Sequence, residues 1–362
     1  MINIVETQME GGRHLMINLS IINILKKTDS VAFYGDQEQI ELISQTHKDI
    51  EFIPIRVQKD PPLWRIPFII PSHLIILTKL LAQRKTLVIL SIFPVTHYFF
   101  KIITLFFPKT KVKIILHGEL KQITNYHNFL QKLLGVFLRK ALSIKNENIK
   151  YIVLGNTIGK RILQQKWLNQ NEMIIIDHPY DYTFEKKIHK ADSQYIMFGS
   201  IGATSIQKGT HYFCELANKV ENNQMKFSIV GGINSEIKPY LNDKIEYTNS
   251  TFLSREEFEE RVSQLDAAVF FYNAEEYAYT SSGAFFDAIK FELPIFAIRN
   301  EFYDDFFTRF GEIGMLFDDK EEFFRYFNDP NLFQNFTVKK IIWKQNLEKM
   351  KKQLSEQDYF FR

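Results

Sequence analysis

Residues 195–232, YIMFGSIGATSIQKGTHYFCELANKVENNQMKFSIVGG, constrain the fold more than any other stretch of this 362-residue chain. The apolar run 195–198 has the character of a buried strand. A loop of small and polar residues, 199–207, follows and includes Gly199 and Ser200. Lys208-Gly209 then stands at the mouth of a helical segment that runs to about residue 220. A second apolar run, 226–230, closes on Gly231-Gly232. This spacing predicts a β-loop-α-β crossover between parallel strands. The chemistry sits in the first loop. Small residues let backbone N–H groups approach an anion, a helix N-terminus adds positive potential, and Lys208 adds a full charge. Such a loop suits a diphosphate; the plain alternative is an ordinary crossover turn.

The rest of the chain repeats the alternation. Residues 2–6 read as a first strand, Gly11-Gly12 as the turn after it, and 15–25 as a helix. A Gly-Gly turn there lets backbone approach a ligand in the crevice outside the strand ends, although the spacing is not that of a dinucleotide fingerprint. Strands are expected at 30–34, 52–55, 86–93, 111–116, 151–154 and 173–176. Helices are expected at 37–45, 71–83, 94–107, 129–142 and 157–166. The strand at 111–116 runs into His117-Gly118-Glu119. A His and a Glu just past a parallel strand stand where open α/β sheets place their active sites, and either could accept a proton from an attacking hydroxyl. The alternative is a hydrogen-bonded loop histidine beside a surface acid.

Polar residues 184–192 read as a linker, after which the pattern restarts. A strand at 245–247 leads to a loop containing Ser250. Ser254 with Glu257 fits a capping box before a helix that ends near 264. A strand at 267–271 precedes an aromatic loop, and Thr280-Ser281-Ser282-Gly283 opens a helix carrying Asp287. Hydroxyls and free N–H groups together at a helix start again suit phosphate, although simple N-capping is their commoner use. A final amphipathic helix is expected from residue 336, with Val338, Ile341, Ile342, Leu347, Met350 and Leu354 roughly on one face.

Composition narrows the class. A 45% hydrophobic content and 34 Phe point to folded domains with large cores, and the single cysteine, Cys214, cannot form an intrachain disulfide. The net charge of +3 conceals an asymmetry. Residues 61–160 hold fifteen Lys/Arg against two acids, Glu119 and Glu147, a net +13. Either this is a solvated basic face, or it meets anionic headgroups or an anionic acceptor. No nucleic-acid-binding signature accompanies the charge, so nucleic acid is not expected as a partner. The apolar stretches 66–82 and 87–107 are each interrupted by proline and charge, so they read as parts of a soluble fold. The start 1–5 reads as a strand and not as a secretory leader. No zinc spacing, Walker loop, nucleophile elbow or Asp-x-Asp pair is present, so no metal or other cofactor is expected.

Taken jointly, FGSIGATSIQKG with KFSIVGG, NSTFLSREEFEERVSQLDAAVFFY, and SSGAFFDAIKFELPIFAI resemble the nucleotide-binding half of the GT-B glycosyltransferases, nearest to glycosyltransferase family 4 and its relatives. The resemblance covers most of the C-terminal half and scattered points of the N-terminal half. It implies an α/β architecture of two Rossmann-like domains with parallel sheets facing across a cleft. These would be an acceptor domain at 1–185, a nucleotide-sugar domain at 186–335, and a C-terminal helix at 336–362 crossing back. It makes Lys208 the diphosphate lysine and Asp287 the second of the family's paired acids, near the ribose. It places Ser250 in the segment beside the base, Gly11 and Gly12 beside the diphosphate or acceptor, and His117 near the reacting sugar. Departures are Ser200 for the usual arginine, Tyr279 for the first paired acid and Glu292 for the glycine of a Gly-x-Pro turn. Ser281, Ser282 and Gly283 would then supply the lost phosphate contacts. The expected protein is a metal-independent hexosyltransferase, cytoplasmic and peripheral on the inner membrane face. It would move sugar from a nucleotide diphosphate sugar to a glycan or lipid-linked acceptor in cell-surface polysaccharide assembly. A nucleotide-sugar epimerase on the same fold, or a non-catalytic subunit binding a partner transferase or membrane, are the alternatives.

Overall fold

The computed structural model describes residues 1–57, 66–124, 128–183, 194–251, 253–272, 274–275 and 278–356. The described chain divides into two compact units. The first holds Met1–Asp181 with Tyr279–Ser281, and the second holds Tyr182–Ala278 with Ser282–Glu356. The linker expected at 184–192 lies outside the described residues.

The first unit is built on seven parallel strands: β1 (Ile2–Glu6), β2 (Val31–Gly35), β3 (Glu51–Pro54), β4 (Thr86–Ser91), β5 (Val112–Leu116), β6 (Ile149–Leu154) and β7 (Met173–Ile176). Their order is β3-β2-β1-β4-β5-β6-β7. The intervening helices are α1 (Leu15–Lys26), α2 (Gln37–Ser44), α3 (Ile66–Ala82), α4 (Pro94–Thr104), α5 (Lys121–Thr124), α6 (Phe129–Ser143) and α7 (Asn156–Gln164). Continuous apolar runs such as Leu87–Leu90 are buried, as strands covered by helices require. Connections from β1 run one way along the sheet and those from β4 the other. The switch point therefore falls at the C-terminal ends of β1 and β4, where such sheets bind ligands.

The second unit repeats the plan with β8 (Ile196–Ile201), α8 (Thr210–Lys219), β9 (Met225–Val230), β10 (Ile245–Tyr247), α9 (Arg255–Ser263), β11 (Ala267–Phe270), α10 (Gly283–Lys290), β12 (Ile295–Ile298), α11 (Glu301–Phe310), β13 (Gly314–Phe317), α12 (Lys320–Phe327) and α13 (Leu332–Ser355). The strand order β10-β9-β8-β11-β12-β13 puts its switch point between β8 and β11. Phe198, Phe227, Phe296, Phe327, Phe336 and Trp343 form its aromatic core.

Several elements differ from expectation. β8 runs on through Ile201, so the loop begins at Gly202 and not at Gly199. α3 starts at Ile66 and carries Pro71 inside it. The α11, β13 and α12 segments were not anticipated. α13 begins at Leu332 and buries Leu332, Phe336, Trp343, Leu347, Met350 and Leu354. The expected apolar face was therefore wrong in half its members: Val338, Ile341 and Ile342 are exposed. The described part of α13 packs on α10 and α11, and the expected crossing back lies outside the described residues. No described helix is long and apolar enough to cross a membrane.

Candidate functional site

In the second unit the site grows from the turn after β8. Gly202 has φ +90°, and a Cβ on Gly231 would lie 2.1 Å from the Gly202 carbonyl oxygen. Only glycine at 231 lets the two strand-end loops approach this closely. Thr204 ties them together by donating from Oγ1 to Gly232 O at 3.1 Å while accepting Asn234 N–H at 2.9 Å. Gly209 caps α8 in the left-handed region at φ +68°, and a Cβ there would meet Phe271 O at 2.4 Å. Between these glycines stands Lys208. Its Nζ lies 3.6 Å from the Cβ position of Gly202, and its backbone N–H is held by Ser205 Oγ at 3.1 Å. Burial pulls its pKa down, and the nearby Asp287 carboxylate opposes that shift. A half-buried ammonium in a glycine cradle at a helix start has the charge and the donors that a diphosphate needs.

Beside it, α9 and α10 carry a chain of ion pairs. Asp287 accepts from Arg255 Nη1 at 3.0 Å, Arg255 Nε donates to Glu259 at 2.7 Å, and the buried Lys290 donates to the same Glu259 oxygen at 2.8 Å. The carboxylate expected near a ribose is thus already fixed by an arginine that sequence reasoning did not single out. Ser282 caps α10: its Oγ accepts Phe285 N–H at 3.4 Å and donates to Tyr272 Oη at 3.0 Å. This leaves backbone groups, not that hydroxyl, to face a ligand. Gly283 is exposed with open space around it. Ser281 is half-buried, and the Thr280 hydroxyl is buried with no partner among the described residues. Ser250 pairs its backbone with Ile233 and Thr248 in the turn after β10. Gly199 and Ser200 stand inside β8, paired with Ser228 and Ile229. Gly199 is a packing glycine, since a Cβ there would lie 2.2 Å from Leu265. Gly202 takes the place in the loop that was expected of it.

In the first unit the site lies at the ends of β1, β4, β5 and β7. His117 stacks on His14 at 4.2 Å between ring centroids and meets His178 edge-on at 5.5 Å. Burial drives the pKa of His117 well below its ordinary value and that of His178 down to about 4. Both are neutral imidazoles at neutral pH, able to accept or donate a hydrogen bond. Glu119 turns back beneath them, its Oε2 accepting His117 N–H at 2.6 Å. Its Oε1 is buried without a partner among the described residues. Burial raises its pKa to about 7 against the lowering effect of its backbone hydrogen bonds. It is therefore poised to exchange a proton near neutrality.

Gly11 and Gly12 divide. Gly11 is buried at φ +56°, and its N–H donates inward to Asp36 Oδ2 at 3.2 Å, so it does not offer that N–H to a ligand. Gly12 is exposed with nothing within 4 Å of its Cβ position. Sequence reasoning missed His14, whose left-handed backbone at the start of α1 leaves no pattern in the sequence. It gave His178 no role either. Among the described residues no group of His, Cys, Asp or Glu could hold a metal ion.

Two doubly wound parallel-sheet units in succession define the GT-B fold, and this chain has it. Solved structures agree on the fold. HepE of Anabaena in complex with UDP-glucose is 14% identical, covers 99% of this chain and 98% of its own, and superposes with a TM-score of 0.68. WaaG, a glycosyltransferase involved in lipopolysaccharide biosynthesis, is 12% identical over 99% of this chain and 96% of its own, with a TM-score of 0.66. A UDP-N-acetylglucosamine 2-epimerase-like protein of Listeria monocytogenes is 11% identical over 97% of this chain and 90% of its own, with a TM-score of 0.56. No sequence-family model and no curated protein sequence matches the chain.

Proposed function

We propose that this chain is a glycosyltransferase that takes its sugar from a UDP-sugar and passes it to a hydroxyl of a glycan or lipid-linked acceptor. The observation that carries the reading is Lys208 in its cradle of Gly202, Gly209 and Gly231, in a fold shared with a UDP-glucose complex. As the acceptor oxygen bonds to the anomeric carbon, the bond from that carbon to the diphosphate oxygen breaks and its electron pair leaves with UDP. Lys208, the start of α10 at Gly283 and the start of α8 stabilise that charge without a metal. The acceptor proton passes to Glu119 or, by way of the neutral imidazole, to His117. Gly12, with open space around it, leaves room for the acceptor, and Asp287 with Arg255 borders the nucleoside.

The acceptor, on this reading, lies at an anionic membrane. In the first unit, α3 packs on α4 and α4 on α6. These helices and the turn after α4 expose Phe68, Phe99, Leu105, Phe106, Phe129, Leu133 and Val136, with Phe106 at 78% and Phe129 at 81%. Lys109, Lys132, Arg139 and Lys140 are exposed among them. Apolar rings inside a basic border match headgroups and acyl chains together. Assembly of a surface polysaccharide on the inner membrane face fits this placement.

The test is a thermal-shift series against UDP, GDP, CDP, ADP and dTDP, followed by UDP-sugar turnover with and without acceptor glycans. Stabilisation by UDP alone, and its loss in Lys208→Ala, are expected; a Lys208→Ala protein with unchanged UDP affinity would overturn the assignment. The epimerase-like neighbour supports a second reading, and conversion of free UDP-N-acetylglucosamine without acceptor would select it. UDP binding with neither reaction would point to a non-catalytic subunit.

A further inference from the structure

The first unit contains a second buried carboxyl that the proposed reaction does not use. Glu6 ends β1, and it is completely buried. Its Oε1 accepts the N–H groups of Gln8 at 2.8 Å and Met9 at 3.1 Å, and also the hydroxyl of Ser91, its register partner at the end of β4. Its Oε2 has no partner among the described residues, and neither has Oε1 of Glu119 at the end of β5. The sheet order places these strand ends in succession, β1, β4, β5. Two carboxyls in one buried neighbourhood, each with an orphaned oxygen, cannot both ionise without heavy cost. The other titratable groups facing them are His14 before α1, His117 in the same loop as Glu119, His178 after β7 and Tyr151 on β6. Burial keeps His117 and His178 neutral and Tyr151 protonated near pH 7, so none of these three offers a positive charge to offset a second carboxylate.

We infer that Glu6 and Glu119 carry one negative charge between them, with Glu6 the carboxylate and Glu119 the acid, so that Glu6 is the positioning residue that sets when Glu119 can take a proton. The assignment within the pair follows from donors. Burial raises the pKa of Glu6 as well, but three hydrogen bonds converge on one of its oxygens and oppose that rise, since charge-assisted bonds of this kind favour the ionised form. Glu119 has fewer such donors. Two of the three, from Gln8 and Met9, hold the chain that leads into the Gly11-Gly12 turn. Electrostatic coupling between the two carboxyls points the same way, since Glu6 adds to the upward shift of Glu119. The two protonation steps then belong to the pair. The inference rests on the reading of Glu119 as the proton acceptor of sugar transfer, but its test does not.

The experiment is a pH titration followed by infrared difference spectroscopy, reading the carboxylic-acid C=O band that Glu119→Gln removes. This needs no donor, acceptor or turnover. In the native chain the band is expected to persist to near neutrality. In Glu6→Gln, which keeps the shape and the acceptor oxygen, its midpoint should fall by about one pH unit or more. Should Glu6→Gln fail to fold, Ser91→Ala removes one donor from Glu6 and should move the midpoint in the same direction. An unmoved midpoint in a folded variant overturns the inference. So does a native chain without a Glu119 acid band above pH 5. If turnover is established, the acid limb of its pH profile should shift with the band while KM for the UDP-sugar stays unchanged. A shifted band in a protein with no transferase activity would uphold the pair and reject the function.

Discussion

Glu119 destabilises the fold whenever it ionises, and this has a sign that can be checked. Unfolded, it loses its proton near the ordinary value of 4.5; folded, it holds the proton to about 7. Between these values the native state binds more protons than the unfolded state, so stability falls as pH rises. Glu119→Gln is expected to be more stable than the native chain at pH 8 by up to about 3 kcal/mol. Below about pH 4 the difference should vanish. Urea melts at the two pH values measure it. At the other site, replacing Lys208 by Met should cost at least about tenfold in UDP affinity with no loss of stability, since burial already disfavours its charge. Titration calorimetry beside a thermal melt separates the two effects. The helix start at Lys208-Gly209 was legible because a glycine there takes the left-handed conformation that opens α8. Gly199 was misread because a strand that runs three residues further looks, in sequence, like the opening of a loop. Glu6 was invisible as a functional residue because its partners, Ser91 and Glu119, are brought to it only by the sheet.

Among the elements, α13 shows why periodicity alone chose the wrong residues. Its apolar positions fill more than one stripe, and Trp343 decides between them by filling the aromatic core against Phe296 and Phe336. Trp343→Ala should cost about 3–5 kcal/mol through the cavity it leaves. Val338→Ser or Ile341→Ser should change stability by no more than about 0.5 kcal/mol. Denaturant midpoints compare them directly. The unanticipated α11, β13 and α12 are dense in phenylalanine on several faces, so neither a period of two nor one of 3.6 stands out. Strands such as β4 and β5 were readable because burial on both sides writes them as unbroken apolar runs.

For the whole molecule, alternation of strand and helix made the parallel α/β plan legible, and the glycine-rich loop before Lys208 carried the resemblance to a nucleotide domain. The order of the strands was not written in the sequence, because it arises from which crossover passes over which neighbour. The basic run 61–160 was also legible, but its apolar rings were not. Phe106 and Phe129 could equally have been core residues until the packing of α4 and α6 placed them outside. Vesicles containing anionic lipid should therefore retain the native chain and release it with rising salt, while Phe106→Glu with Phe129→Glu should release it at lower salt. Co-sedimentation against neutral vesicles provides the comparison.

Those same rings govern how the purified protein behaves away from any bilayer. Aromatic side chains left in water at this level of exposure seek one another when no acyl chain is offered. In lipid-free buffer the sedimenting mass should climb with concentration, and a trace of mild detergent should return it to that of one chain. The assembly seen in a concentrated sample would then reflect these exposed rings, not a design for subunits.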